Sequence, residues 1–171
     1  MSASELADLI EPHIPALRRY AFALTREPHA ADDLVQDCLE RALAHWGMRR
    51  PGGSLKAWLF TILHNCFISD RRRAARRGPH LELDEAPGLP VSAARQEEGL
   101  ALRDVAAALR ALPEDQQAVL LLVGVEELSY EEAAKVLAVP VGTVMSRLSR
   151  GRERLRQRLE GGRPGGLRRV K

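Results

Sequence analysis

Residues 128–156 read LSYEEAAKVLAVPVGTVMSRLSRGRERLR. Ser129 followed by Glu132 is a capping box, in which each side chain bonds the other's backbone N–H and starts a helix. The spacing predicts one helix over 129–137, a tight connection at AVPV (138–141), and a second helix over 142–159. Two helices joined by such a short turn form a helix-turn-helix, and small Ala133 and Ala134 let them cross closely. On a wheel of about 100° per residue, Val144, Leu148, Gly151 and Leu155 fall within about 60° of one another. Ser146, Ser149, Arg150 and Glu153 lie opposite, and Arg147, Arg152, Arg154 and Arg156 flank them. Serines among arginines allow close approach to a groove, with hydroxyls and guanidinium groups for phosphates and base edges. The bland alternative is a solvated charged helix end.

Charge supports an anionic partner for this end of the chain. The whole protein of 171 residues carries only +3, but Arg147 to Lys171 hold ten Lys/Arg against Glu153 and Glu160, a net +8 that leaves −5 on the rest. Elsewhere the apolar residues recur at helical spacing and alternating strand patterns are missing, so the chain reads as all-α. The predicted organisation is two small helical domains joined by a flexible acidic linker: 1–77, linker 78–98, a helix-turn-helix domain 99–161, and a basic tail 162–171. The linker GPHLELDEAPGLPVSAARQEE has three prolines, two glycines and a net charge of −4.

The first block carries its own chemistry. Trp46, Trp58, Phe60 and Phe67 are four of the seven aromatic residues and stand among Arg49, Arg50, Lys56 and Arg71 to Arg73. Trp58, Thr61, Asn65 and Arg72 share a ridge of the helix predicted from Ser54. Aromatic and amide groups beside arginines can hold unstacked bases of a single strand, although Trp58 beside Ile62 also fits a core position. Asp33, Asp37 and Glu40 form an acidic strip away from Val35, Leu39 and Ala42. That strip is either solvated surface or a dock for a basic protein. Cys38 and Cys66 sit in apolar helical stretches, as buried reduced thiols do. The five histidines are scattered and no CxxC or HxxxH cluster occurs, so no metal, cofactor or catalytic centre is expected. No apolar run reaches the ~20 residues of a membrane span, and the acidic opening MSASELADLIEPHI is unlike a signal peptide.

These pieces resemble the extracytoplasmic-function (ECF) branch of bacterial RNA polymerase sigma factors. The resemblance rests on DDLVQDCLERA (32–42), AWLFTILHNCFISDRRR (57–73), ALRALPEDQQAVLLL (108–122) and the stretch 128–156, in that order. It implies a cytoplasmic protein, monomeric when free, that binds core RNA polymerase and promoter DNA and is held in check by an anti-sigma factor. It implies that Asp33, Gln36 and Asp37 dock on the polymerase clamp. Arg49, Lys56, Asn65 and Arg72 would act at the −10 element, with the loop 46–54 and Asn65 capturing a flipped base. Thr143, Ser146, Arg147 and Arg150 would read the −35 element. Some positions depart from the family pattern. Met145 replaces a basic residue, Ala138 a turn glycine, Gln116-Gln117 a basic residue, and Arg49 an aromatic. If position 138 needs a positive φ, alanine there costs roughly 1 kcal/mol.

Three other readings account for less. A free-standing helix-turn-helix repressor leaves the acidic strip and the aromatic loop unexplained, and no dimer helix is evident. A sigma mimic that only titrates an anti-sigma factor has no need of the groove-facing serines and arginines. A recombinase would need paired carboxylates or an activated nucleophile, and neither appears.

Overall fold

The computed structural model describes residues 2–78 and 96–161, so most of the predicted linker and the whole basic tail lie outside the described residues. Among the described residues there are helices and no strand. The first half holds α1 (Ala3–Ile10), α2 (Ile14–Thr25), α3 (Pro28–Ala44) and α4 (Leu55–Arg76). The second holds α5 (Gln96–Arg110), α6 (Glu114–Val119), α7 (Tyr130–Leu137) and α8 (Val141–Gly161), with a π-helical segment Leu120–Val125 extending α6.

Local chemistry sets the helix starts. Ser2 and Glu5 form a capping box on α1. Glu27 caps α3 by accepting from the N–H groups of His29 and Ala30, with Pro28 at the first helical position. Ser54 caps α4 by accepting from Ala57 N at 3.1 Å. Trp46–Met48 form one 3₁₀ turn of the connecting loop. The predicted capping box of α7 is present: Ser129 Oγ accepts from Glu132 N at 3.1 Å, and Ser129 N donates to Glu132 Oε2 at 2.9 Å.

α2, α3 and α4 pack around Leu17, Tyr20, Cys38, Leu59, Phe60 and Leu63, all fully buried, with the Tyr20 and Phe60 rings edge-to-face at 5.3 Å. Burial of such side chains contributes about 1.5–3 kcal/mol each. In the second half α6, α7 and α8 enclose Val119, Leu122, Val136 and Val144. The two clusters are continuous, because α4 packs along α7 and α2 meets α6. Connected in sequence by a proline-rich acidic stretch, the halves share one apolar seam.

Candidate nucleic-acid and polymerase interface

The helix-turn-helix has the geometry its sequence implied. The inward stripe of α8 is confirmed by burial: Val144 and Leu148 are fully buried and Gly151 is closed off from solvent. A Cβ on Gly151 would lie 3.0 Å from Leu120 Cδ1 and 3.4 Å from Gln116 Cβ, so glycine lets α8 press against α6. In the turn, Ala138 adopts φ 53°, ψ 45°, the left-handed conformation in which an alanine carries the strain anticipated from its sequence. Gln116 and Gln117 are both buried, and Gln116 Oε1 accepts from Arg154 Nη1 at 3.4 Å.

On the outer face of α8, Ser149 and Arg150 are exposed, Met145 is half exposed, and Thr143 and Ser146 are half-buried. Ser146 Oγ donates to Thr143 O at 3.1 Å, which fixes its rotamer and leaves its lone pairs outward. Arg147 differs from its neighbours. Its Nε lies 3.4 Å from Asp115 Oδ2, and only 27% of its side chain is exposed.

On the first half, Asp33, Gln36 and Asp37 are exposed along one face of α3. Gln36 Nε2 donates to Glu40 Oε1 at 3.1 Å, while Asp33 and Asp37 have no ion pair among the described residues. Asn65 and Arg72 are exposed on α4, two turns apart. Arg49 folds back over the Trp46 ring at 5.2 Å and donates to Gly53 O, and Trp46 meets Trp58 edge-to-face at 5.9 Å. The aromatic pair therefore props the 46–54 loop, while Trp58 is half-buried against the core.

Lys56 is turned toward the second half. Its Nζ donates to Glu126 O at 2.6 Å and lies 3.5 Å from Glu126 Oε2. Arg19 of α2 holds the same carboxylate in a fork, Nε to Oε1 at 3.0 Å and Nη2 to Oε2 at 3.1 Å. Glu126 is 2% exposed, directly after the π-helical segment, and its N–H donates to Leu121 O. A π-turn widens the helix locally and is frequent at functional positions. Arg71 and Glu114 form a second ion pair across the seam, and Arg26 Nη2 donates to Arg110 O at 2.8 Å. In this packed arrangement Lys56 and Arg147 are held by carboxylates of the second half, while Asn65, Arg72, Ser149 and Arg150 stay open. Nothing in the sequence marked Glu126, which reads as an ordinary polar turn residue.

The two cysteines are buried and free. Burial pushes the Cys38 thiol up to about 12 and raises that of Cys66, so both stay protonated. Among the described residues no group of His, Cys, Asp or Glu could hold a metal ion, and no helix is long and apolar enough to cross a membrane.

Comparison with known proteins finds two family matches along the chain. Residues 10–64 match the family described as the Sigma2 domain of PhyR, and residues 102–155 match sigma-70 region 4. The chain is 42% identical over 154 residues to the ECF RNA polymerase sigma factor EcfG of Rhodopseudomonas palustris, covering 88% of this chain and 82% of that protein. It is 31% identical to the RNA polymerase sigma factor YlaC of Bacillus subtilis, covering 90% and 91% of the two chains. Among solved structures, the sigma factor RpoE of Bartonella quintana, in complex with the anti-sigma factor NepR, superposes with a TM-score of 0.78 at 34% identity, covering 94% of this chain and all of that one. CnrH, solved with the cytosolic domain of CnrY, superposes with a TM-score of 0.68 at 26% identity, covering 95% and 92%.

A region-2 helical domain followed by a region-4 helix-turn-helix defines a sigma factor, the class that binds core RNA polymerase and directs it to promoters. Such proteins regulate transcription initiation and are not an enzyme class. Within that class, the chain belongs to the ECF RNA polymerase sigma factors.

Proposed function

We propose that Asp33, Gln36 and Asp37 form the contact with core polymerase, that Asn65 and Arg72 with the Arg49 loop and Lys56 engage the −10 strand, and that Thr143, Ser146, Arg147 and Arg150 read the −35 duplex. The observation that carries this reading is the separation of charge: an exposed, unpaired acidic face on α3, and an exposed Ser149–Arg150 face on α8 opposite a buried stripe. The first repels DNA and suits a basic protein surface, and the second suits a groove. Lys56 becomes available to DNA only when the halves part, so engagement of a promoter goes with opening of the seam, whereas Arg147 must leave Asp115 within its own half. The likeness to RpoE bound to NepR supports control by an anti-sigma factor of that type. The protein works without catalysis, as a monomer when free, in the cytoplasm where its polymerase resides.

The sigma-mimic reading has one observation in its favour, the match of the first half to the Sigma2 domain of PhyR. The open Ser149–Arg150 face speaks for a DNA reader instead. The test is a pull-down of core polymerase with the Asp33→Arg/Asp37→Arg double variant. Loss of core binding with helicity unchanged by circular dichroism is expected, and normal binding by the variant overturns the assignment. A wild-type protein that binds an anti-sigma factor but never supports run-off transcription would establish the mimic.

A further inference from the structure

At the seam lies an open cavity of about 730 Å³ lined by four arginines from three elements: Arg26 at the end of α2, Arg110 at the end of α5, and Arg154 and Arg158 on α8. None of the four is ion-paired among the described residues. The acids nearby are engaged elsewhere: Glu114 with Arg71, Asp115 with Arg147, Glu153 with Arg156. Two of the arginines are instead steadied by neutral acceptors, Arg26 on Arg110 O and Arg154 on Gln116 Oε1. Arg26 holds its place at φ 59°, a conformation that costs a non-glycine residue energy.

Four arginines and no carboxylate line the cavity, so an anion placed there meets charge of opposite sign from both halves. The planar guanidinium fork matches phosphate oxygens in a two-point contact. A cavity of this size exceeds a single phosphate and falls in the range of small-ligand pockets. Arg154 lies one turn beyond Arg150 on the edge of the outer face, and Arg158, a further turn on, lies nearer the buried stripe of α8. The cavity also needs Arg26 from the other half, so it exists only while the halves are packed.

We propose that this cavity binds a small oligophosphate, two or three linked phosphate groups, whose oxygens bridge Arg26 of the first half to Arg110, Arg154 and Arg158 of the second. Occupation favours the packed arrangement and opposes the opening that releases Lys56. This goes beyond the promoter-reading role and does not depend on which residues read the −35 element.

The experiment is calorimetric titration of the full chain with sodium tripolyphosphate. One equivalent should bind, and Arg26→Gln and Arg158→Gln should each weaken binding by about tenfold, as expected for loss of a charge-assisted fork. Arg41→Gln and Arg103→Gln, which remove the same charge elsewhere, should change it by less than about twofold. Arg158 is an exposed helix-surface residue, so its variant stays informative should Arg26→Gln perturb folding. Tripolyphosphate should also raise the thermal midpoint of the wild type and not of Arg158→Gln. Uptake of several weak equivalents, or equal losses in the control variants, overturns the proposal. So does a result in which Arg26→Gln and Arg158→Gln weaken promoter-duplex binding while tripolyphosphate binding is unchanged, since the arginines would then belong to the DNA track.

Discussion

Replacing Glu126 by glutamine should open the molecule. The carboxylate is almost fully buried, with Arg19 forked onto it from α2 and Lys56 beside it on α4. Both cations belong to the first half and the carboxylate to the second, so whatever this triad contributes acts on the association of the halves. A hydrogen bond to a charged group is worth about 1.5–3 kcal/mol when shielded. The side chain of Arg19 is 50% exposed and that of Lys56 31%, so both recover hydration when the carboxylate is lost. The fork and the lysine contact together therefore contribute about 2–3 kcal/mol after that discount. Glutamine keeps the shape but turns an amide N–H₂ toward one of two cations, so little of the contact is regained. At 1.4 kcal/mol per tenfold, the packed-to-open ratio should fall by about thirtyfold or more. The assay is energy transfer between dyes on Ser4→Cys in α1 and Ser149→Cys in α8, the native thiols being buried. Transfer should drop in Glu126→Gln with far-ultraviolet circular dichroism unchanged. Asp32→Asn, which breaks the exposed Arg18–Asp32 pair inside the first half, should leave transfer unaltered and cost less than about 1 kcal/mol. Unchanged transfer and an unchanged denaturation midpoint in Glu126→Gln would refute the account of Glu126 as the cross-seam contact.

Three further outcomes are expected. Ala138→Gly removes about 1–2 kcal/mol of left-handed strain and adds about 0.4–1 kcal/mol of unfolded-chain entropy, so the protein should gain about 0.5–1 kcal/mol in urea denaturation; a loss of stability would show that the turn tolerates alanine freely. His64 is held neutral by burial and has its Nδ1 3.1 Å from Tyr20 Oη, at a seam it shares with Arg71, Glu114, Asp115 and Arg147. Its folded value lies below 6.5, so the unfolded chain takes up the proton first and stability, intact above pH 6.5, should decline as the pH falls through it. His64→Gln should flatten that decline, and an identical pH profile in the variant would clear His64 of the effect. Arg150→Ala should cost about 1–3 kcal/mol on a cognate −35 duplex and relax preference at one base pair; a uniform loss across a duplex library would make Arg150 a phosphate contact only.

Much of this architecture could be read from the chain because its causes are local. The α8 stripe of Val144, Leu148, Gly151 and Leu155 follows from the 3.6-residue period, and the Ser129–Glu132 box lies within one turn. Ala138 stands where the resemblance puts a turn glycine, and its positive φ is the conformation glycine favours. The acidic face of α3 and the exposed face of α8 need only the helix period and the identity of the apolar side. The seam has no such signature. Glu126 meets Arg19 across 107 residues and Lys56 across 70, and one of two adjacent glutamates carries no trace of the cations that bury it. Lys56 and Arg147, legible as DNA-facing by residue type, are turned onto carboxylates by packing of α4 on α7 and α8 on α6. The four-arginine cavity likewise gathers residues 26, 110, 154 and 158. Periodicity and capping act within a few residues and are written in the sequence; which charges meet across two packed halves depends on the angle and depth of that packing, which only the tertiary structure fixes.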